Sequence, residues 1–259
     1  MDKIEKQREH FENISEKYYN SRQLKSHLLL KDLMWDYFLK DKDCLKKNNL
    51  RALEPMCGYG EGKDILEKHL GTKILYSGFD YSKNLVEKIK KSNPLADVVE
   101  MDITKFNPTE KYDLIIIIGG LHHVPFHVNS VLSKLYEALE KNGHFIYFEP
   151  THNNWLFRKI RERIYKKNAF FDNDTERAFE LKKINQVFLR HDFKIIDQIY
   201  PGLLSYIFYY NPDAFPFLNK GGNGLVKALF NFDKLFFRNF IGKKLSFATM
   251  TLLQKNENK

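Results

Sequence analysis

Three acidic residues that follow apolar runs, one glycine-rich turn and a histidine pair are the parts of this chain best suited to chemistry. Residues 50–62 read Leu-Arg-Ala-Leu-Glu-Pro-Met-Cys-Gly-Tyr-Gly-Glu-Gly. A short apolar run ends in the carboxylate of Glu54. Gly58, Gly60 and Gly62 follow before a helical pattern begins near Lys63. Glycine lets the backbone turn sharply and approach a ligand closely. A helix start adds unpaired N–H groups and the positive end of the helix dipole. Such a turn suits a nucleotide-like ligand with an anionic end. Asp80 ends a second apolar run, Ile74–Phe79. It lies roughly 20 positions past the glycines, the spacing at which a carboxylate accepts from ribose hydroxyls. Asp80 also suits a helix N-cap, a role open to Ser82. Asp102 follows a third apolar run. His122 and His123 follow a fourth, and a neutral imidazole there could take a proton from a hydroxyl or amine. No third metal ligand stands at useful spacing from that pair.

The elements that must position these residues alternate. Strand patterns cover 50–53, 74–79, 97–101, 114–118 and 144–148, and helical patterns cover 63–70, 83–91 and 129–140, the last running out through Lys141-Asn142-Gly143. This alternation predicts a doubly wound, mostly parallel sheet with helices on both faces. Residues 114–118 are apolar throughout, as a central strand requires. Upstream, residues 3–40 read as an amphipathic helical stretch whose stripe contains Leu24, Leu28, Asp32, Trp35 and Leu39, flanked by Leu29, Leu33 and Phe38. Downstream of Pro150 the pattern predicts a basic helix over 155–167, a helix over 176–191 and strands over 192–200 and 245–253. Between those strands lies a segment dense in aromatics and broken by Pro212 and Pro216. Leu225, Leu229, Phe232, Phe236 and Phe240 then recur at helical spacing.

A length of 259 residues allows one large α/β domain with appended segments. We read a helical lid (1–45), a ligand-binding core (46–150), cap segments (151–191 and 201–244) and closing strands (192–200 and 245–254). The net charge of +9 fits either a lysine-rich surface or an anionic partner. Two cysteines, Cys44 and Cys57, provide no disulfide framework, which fits a reducing, cytoplasmic setting. The charged N-terminus is not a signal peptide, and no run of 18 apolar residues exists to span a membrane.

Residues 50–150 resemble the class I methyltransferases that depend on S-adenosylmethionine (SAM). The likeness rests on Glu54-Pro55-Met56-Cys57-Gly58-Tyr59-Gly60, Gly78-Phe79-Asp80-Tyr81-Ser82 and Met101-Asp102-Ile103. It continues through Tyr112–Ile118 and Leu121-His122-His123-Val124 to the strand ending at Glu149. Met56 departs from the pattern, standing where many relatives carry the first glycine. The resemblance implies a seven-stranded sheet with its last strand antiparallel. It also implies SAM as cofactor, held by Glu54, Met56, Gly58, Gly60, Asp80, Tyr81, Asp102, Ile103, Gly119 and Leu121. Asp80 would meet the ribose, Asp102 the adenine amine and Ile103 the adenine ring. Asp102 is also compatible with a plain surface turn, and Gly119 with a plain loop. Phe11, Tyr18 and Tyr19 would either fold over the cofactor or simply pack in the helix.

The acceptor is less defined. His122 or His123 is the candidate base. Glu149, Trp155, Tyr206, Tyr209 and Tyr210 are candidate substrate contacts, with loop capping an equal role for Glu149. The Asn/Asp-Pro-Pro-aromatic turn of base amino-methylation is missing after the fourth strand, where Gly119-Gly120-Leu121-His122 stands. Cys44 and Cys57 are misplaced for a pyrimidine carbon-5 nucleophile. The aromatic segment predicts a small or lipid-linked apolar acceptor, a peripheral contact with the inner membrane face helped by Lys227, Lys234, Arg238, Lys243 and Lys244, or plain packing on the core. The alternatives are an RNA methyltransferase, an NAD-binding oxidoreductase and a non-catalytic methyltransferase-like subunit. Nucleic acid is the weaker partner. The dinucleotide reading lacks a third glycine, since Lys63 stands there.

Overall fold

The computed structural model describes residues 3–167, 177–212 and 216–256, with side chains in parts of the first and sixth helices left aside. Phe215 and the side chains of Phe11, Tyr18, Lys166 and Lys167 lie outside the described residues. In chain order the elements are α1 (Lys3–Arg22), α2 (Lys25–Leu39), β1 (Leu50–Pro55), α3 (Glu61–Leu70), β2 (Ile74–Asp80), α4 (Lys83–Ser92), β3 (Val98–Glu100) and β4 (Tyr112–Ile118). They continue as α5 (Val128–Ala138), β5 (Leu139–His152), α6 (Trp155–Lys167), β6 (Phe179–Glu180), α7 (Leu181–Arg190), β7 (Phe193–Ile199), α8 (Asn223–Asp233), α9 (Phe240–Leu245) and β8 (Ala248–Lys255).

The sheet has the order β3-β2-β1-β4-β5-β8-β7, with the two-residue β6 paired to the end of β5. β8 runs antiparallel to both neighbours, from His144↔Gln254 to Pro150↔Ala248 on one side and Phe193↔Lys255 to Ile199↔Met250 on the other. The doubly wound sheet with an antiparallel last strand is therefore as the sequence predicts, with β6 as an eighth, minimal strand. Side chains alternate across the strands, so β4 feeds two cores. Leu114 and Ile116 pack with Met34 and Trp35 of α2, and Ile115 and Ile117 pack with Leu132 of α5 and Phe188 of α7.

Several element boundaries differ from the pattern reading. The N-terminal stretch is two helices. The buried face of α2 is His27, Leu30, Met34, Trp35, Phe38 and Leu39, whereas Leu24 and Leu28 are exposed. Both faces of that helix are apolar, so periodicity alone did not select the inner one. α5 stops at Ala138, and Glu140 to Gly143 form an irregularity at the start of β5, with Asn142 at φ 59°. α7 begins at Leu181. Over 223–240 the buried apolar residues are Val226, Phe230 and Phe237, whereas Leu225, Phe232 and Phe240 face solvent. Leu245 closes α9 instead of opening the last strand.

The aromatic segment contains a π-helical turn, Tyr206–Tyr210. Asp233, at the end of α8 and 1 % exposed, holds its start by accepting from the Ser205 N–H and hydroxyl, both at 2.6 Å. The Nδ1 of His27 lies 3.0 Å from the Tyr210 carbonyl and holds its end. Replacing Asp233 with Ala leaves buried Ser205 donors without an acceptor. This should cost about 1–3 kcal/mol in urea unfolding and raise the rate of proteolysis within Leu204–Asn211.

Candidate functional site

Glu54 sits near the end of β1 with 2 % of its surface exposed. Its Oε2 accepts from the Gly62 N–H at 3.0 Å and from the Tyr76 hydroxyl. A Cβ at residue 62 would come within 2.7 Å of the Glu54 carboxyl carbon. Only glycine lets the first turn of α3 settle on that acid. Burial pushes the Glu54 carboxyl up to about 8, against the pull of its two donors. The turn before α3 needs left-handed backbone at Gly58 (φ 54°), Gly60 (φ 74°) and Met56 (φ 56°). A methionine in that region is unusual.

Asp80, at the end of β2, is 3 % exposed and accepts from the Gly58 N–H and the Ser82 N–H, each at 2.9 Å. Desolvation raises its carboxyl above the ordinary range. Ser82 is the N-cap of α4, accepting from the Leu85 N–H. The capping role thus falls to Ser82, while Asp80 ties the glycine turn to β2.

The loop after β4 is organised by Glu149 of β5. Its Oε1 accepts from the N–H groups of Gly120 (2.7 Å) and Leu121 (2.6 Å), and its Oε2 from the His122 N–H (3.4 Å). The His122 Nδ1 lies 2.7 Å from Oε2. A carboxylate cannot donate, so the Nδ1 carries the proton and the Nε2 is the basic nitrogen. The His123 ring lies 4.0 Å from that of His122.

These residues line one cavity of about 490 Å³. A polar, glycine-bearing part of its lining is Glu54, Met56, Gly58, Asp80, Tyr81, Gly119, His122, His123 and Glu149. An aromatic and apolar part is Phe148, Phe157, Ile160, Tyr206, Tyr210 and Phe247. Asp102 and Ile103 lie outside it, in a small recess that shares Met56, Tyr81 and His123. Four expected positions are elsewhere. Gly60 shapes the turn, its N–H donating to the Cys57 carbonyl. Leu121 is buried in the core. Tyr209 is buried below the cavity, with its hydroxyl on the Lys220 carbonyl. Trp155 is 66 % exposed and points away from the aromatic wall. The helical period explains the last case, because Phe157 and Ile160 of the same helix take the inward positions.

Sequence reasoning missed Ile14, Arg22, His27, Tyr59, Phe157 and Phe247, all of which line the cavity. α1 supplies part of this wall. Tyr19 packs on Tyr59 with ring centroids 4.3 Å apart, and the Tyr59 hydroxyl donates to the Ser15 carbonyl. Burial, then the charges of Arg22 and Lys31, lowers the His27 pKa to about 3, so this ring is neutral at every physiological pH. Cys57 is buried and its thiol is pushed up by desolvation, which leaves it unreactive. Because Glu149 meets four donors, replacing it with Gln removes acceptor capacity and sets an amide against N–H groups. The substitution should cost about 3 kcal/mol in thermal unfolding, whereas Gln at exposed Glu162 should leave stability unchanged.

A family model described as "Methyltransferase domain" matches residues 52–143. The demethylmenaquinone methyltransferase of Oceanobacillus iheyensis is 26% identical over 151 residues, covering 54% of this chain and 60% of that protein. The trans-aconitate 2-methyltransferase of Rhizobium etli is 28% identical over 93 residues, 36% of each chain. The chain thus spans less than two thirds of the length of these relatives. A SAM-dependent methyltransferase from Archaeoglobus fulgidus superposes with a TM-score of 0.55 at 14% identity, over 86% of this chain and 94% of that one. The cyclopropane synthase MmaA2 from Mycobacterium tuberculosis does so with a TM-score of 0.59 at 14% identity, over 87% of this chain and 83% of that one. At such identities these two structures show the fold. Together with the sheet order, they show that the chain has the class I methyltransferase fold, and residues 52–143 are the part that matches the methyltransferase domain model.

Proposed function

We propose that this chain transfers a methyl group from SAM to a small, largely apolar acceptor held by the aromatic half of the cavity. The observation that supports this is one cavity lined both by glycines and buried acids and by a group of aromatic rings. The glycines and acids fit SAM. Asp80 is a buried acid whose raised pKa falls when hydroxyl donors such as those of a ribose reach it. Glu54 is a buried acid that an ammonium group would ionise. Bound SAM supplies a methyl group on a sulfonium, so the protein has little bond chemistry of its own to perform.

What remains for the residues is orientation, proton removal and exclusion of water. Gly119, next to Gly120 on the loop pinned by Glu149, leaves one wall without side-chain bulk, so two ligands can approach each other. His122 accepts the proton of an acceptor hydroxyl or amine at Nε2, and Glu149 steadies the imidazolium through Nδ1. Phe148, Phe157, Tyr206, Tyr210 and Phe247 keep water from the reacting atoms. A ring-bearing acceptor suits this wall, in keeping with the demethylmenaquinone that one relative is named for.

Methyl-labelled SAM supplied with a cell extract tests the reading. Label should enter the organic-soluble small-molecule fraction. Label in RNA, or none at all, would refute it. Asp80→Ala should abolish SAM binding in calorimetry. His122→Asn, which can still donate to Glu149, should lower turnover at least about 100-fold with SAM affinity kept.

The Glu54 carboxyl adds a pH signature. With a pKa near 8 in the free protein, it is largely neutral at pH 6 and 7, and a cationic end binds its ionised form. SAM affinity should therefore rise roughly tenfold from pH 6 to 7, with proton release on binding. The profile should be flat in Glu54→Gln.

A further inference from the structure

The cap presents a face that the methyl-transfer reading does not use. Phe240 is 70 % exposed, Trp155 66 % and Ile241 50 %, and Leu235 and Phe232 are exposed beside them. The Asn153 and Asn154 amides donate to the Lys243 and Lys244 carbonyls, which fixes the start of α6 against α9. The Phe232 ring packs on Phe236, and Phe236 backs onto Gly242 of α9. Exposed apolar side chains of three helices thus adjoin one another on the cap.

The charge around them has one sign. Between residues 219 and 256 the chain contains one acid, Asp233, and it is buried. Lys227, Lys234, Lys243 and Lys244 are exposed. The Lys244 ammonium lies 5.2 Å over the Phe240 ring and that of Lys159 lies 5.0 Å over the Trp155 ring. Cationic heads and exposed rings therefore lie side by side at the surface, the pairing that suits an interface between anionic headgroups and acyl chains. A second copy of this face would bring lysine against lysine, whereas an anionic surface meets them favourably.

We propose that the face formed by the first turn of α6, the end of α8 and α9 docks on an anionic lipid bilayer, with Trp155, Phe240 and Ile241 among the headgroups and Lys243 and Lys244 against lipid phosphates. Among the described residues no helix is long and apolar enough to cross a membrane, so the contact is peripheral. The other side of α6 supplies Phe157, Ile160 and Arg161 to the cavity. Docking thus places the aromatic wall one helix thickness from the bilayer. The inference does not depend on which group the enzyme transfers.

The test uses the full chain with phosphatidylcholine vesicles made with and without phosphatidylglycerol. The chain has two tryptophans, and Trp35 is fully buried, so a change in emission reports Trp155. A blue shift is expected with the anionic vesicles, lost in phosphatidylcholine alone and reversed by salt. Phe240→Ser with Ile241→Ser should weaken co-sedimentation at least about tenfold, as should Lys243→Glu with Lys244→Glu. Unchanged thermal unfolding in both variants shows that they fold. No shift with anionic vesicles, co-sedimentation unaffected by either variant, or a solution dimer that Phe240→Ser with Ile241→Ser splits would each overturn the proposal.

Discussion

Three buried acids near the carboxyl ends of β1, β2 and β5, each bound by backbone N–H groups of an adjoining loop, hold the site together. Glu54 binds the N–H of Gly62, Asp80 binds those of Gly58 and Ser82, and Glu149 binds those of Gly120, Leu121 and His122. A buried charge needs donors, and loop N–H groups buried beside a cavity need acceptors. Each acid therefore dictates the path of the chain near it. Glycine at 62 is the steric consequence. The cavity wall is thereby preorganised, since its loops are already fastened to the sheet.

The aromatic part of the lining is built by different means. It is a stack of rings held at its two ends by polar contacts. Tyr206 and Tyr210 lie nearly parallel, 4.7 Å apart at 11°, as successive turns of a π-helix. Asp233 fixes the residue before them and His27 the carbonyl after. A neutral His27 keeps that contact over the physiological pH range, because burial and two nearby cations oppose its charging. One part of the lining is thus acids and glycines, and another part is aromatic side chains.

The excess positive charge does not collect in the cavity. Glu54, Asp80 and Glu149 line it together with Arg22, Lys31 and Arg161, so its lining holds both acidic and basic groups. Much of the lysine of the last third of the chain lies on the cap beside exposed rings. A membrane contact for that segment and a packed aromatic cap are compatible, because different rings serve each. Phe230 and Phe237 go inward, and Phe232 and Phe240 go outward.

The sequence by itself determined the succession of strands and helices along the chain and the positions of Glu54, Asp80 and the glycine turn. Those are local or period-2 signals, and an entirely apolar run such as 114–118 has few places in a fold. It did not determine which face of an all-round apolar helix turns inward. Leu24 and Leu28 compete with His27 and Met34 in α2, and Phe232 with Phe230 in α8. Such choices depend on the neighbour each face meets. Nor could it separate Trp155 from Phe157, or Tyr209 from Tyr210, as cavity residues, since a shift of one or two positions on a helix reverses the direction of a side chain. The partnership of Glu149 with the β4 loop joins residues nearly 30 apart in the chain. Only the parallel pairing of β4 with β5 brings that acid to its donors.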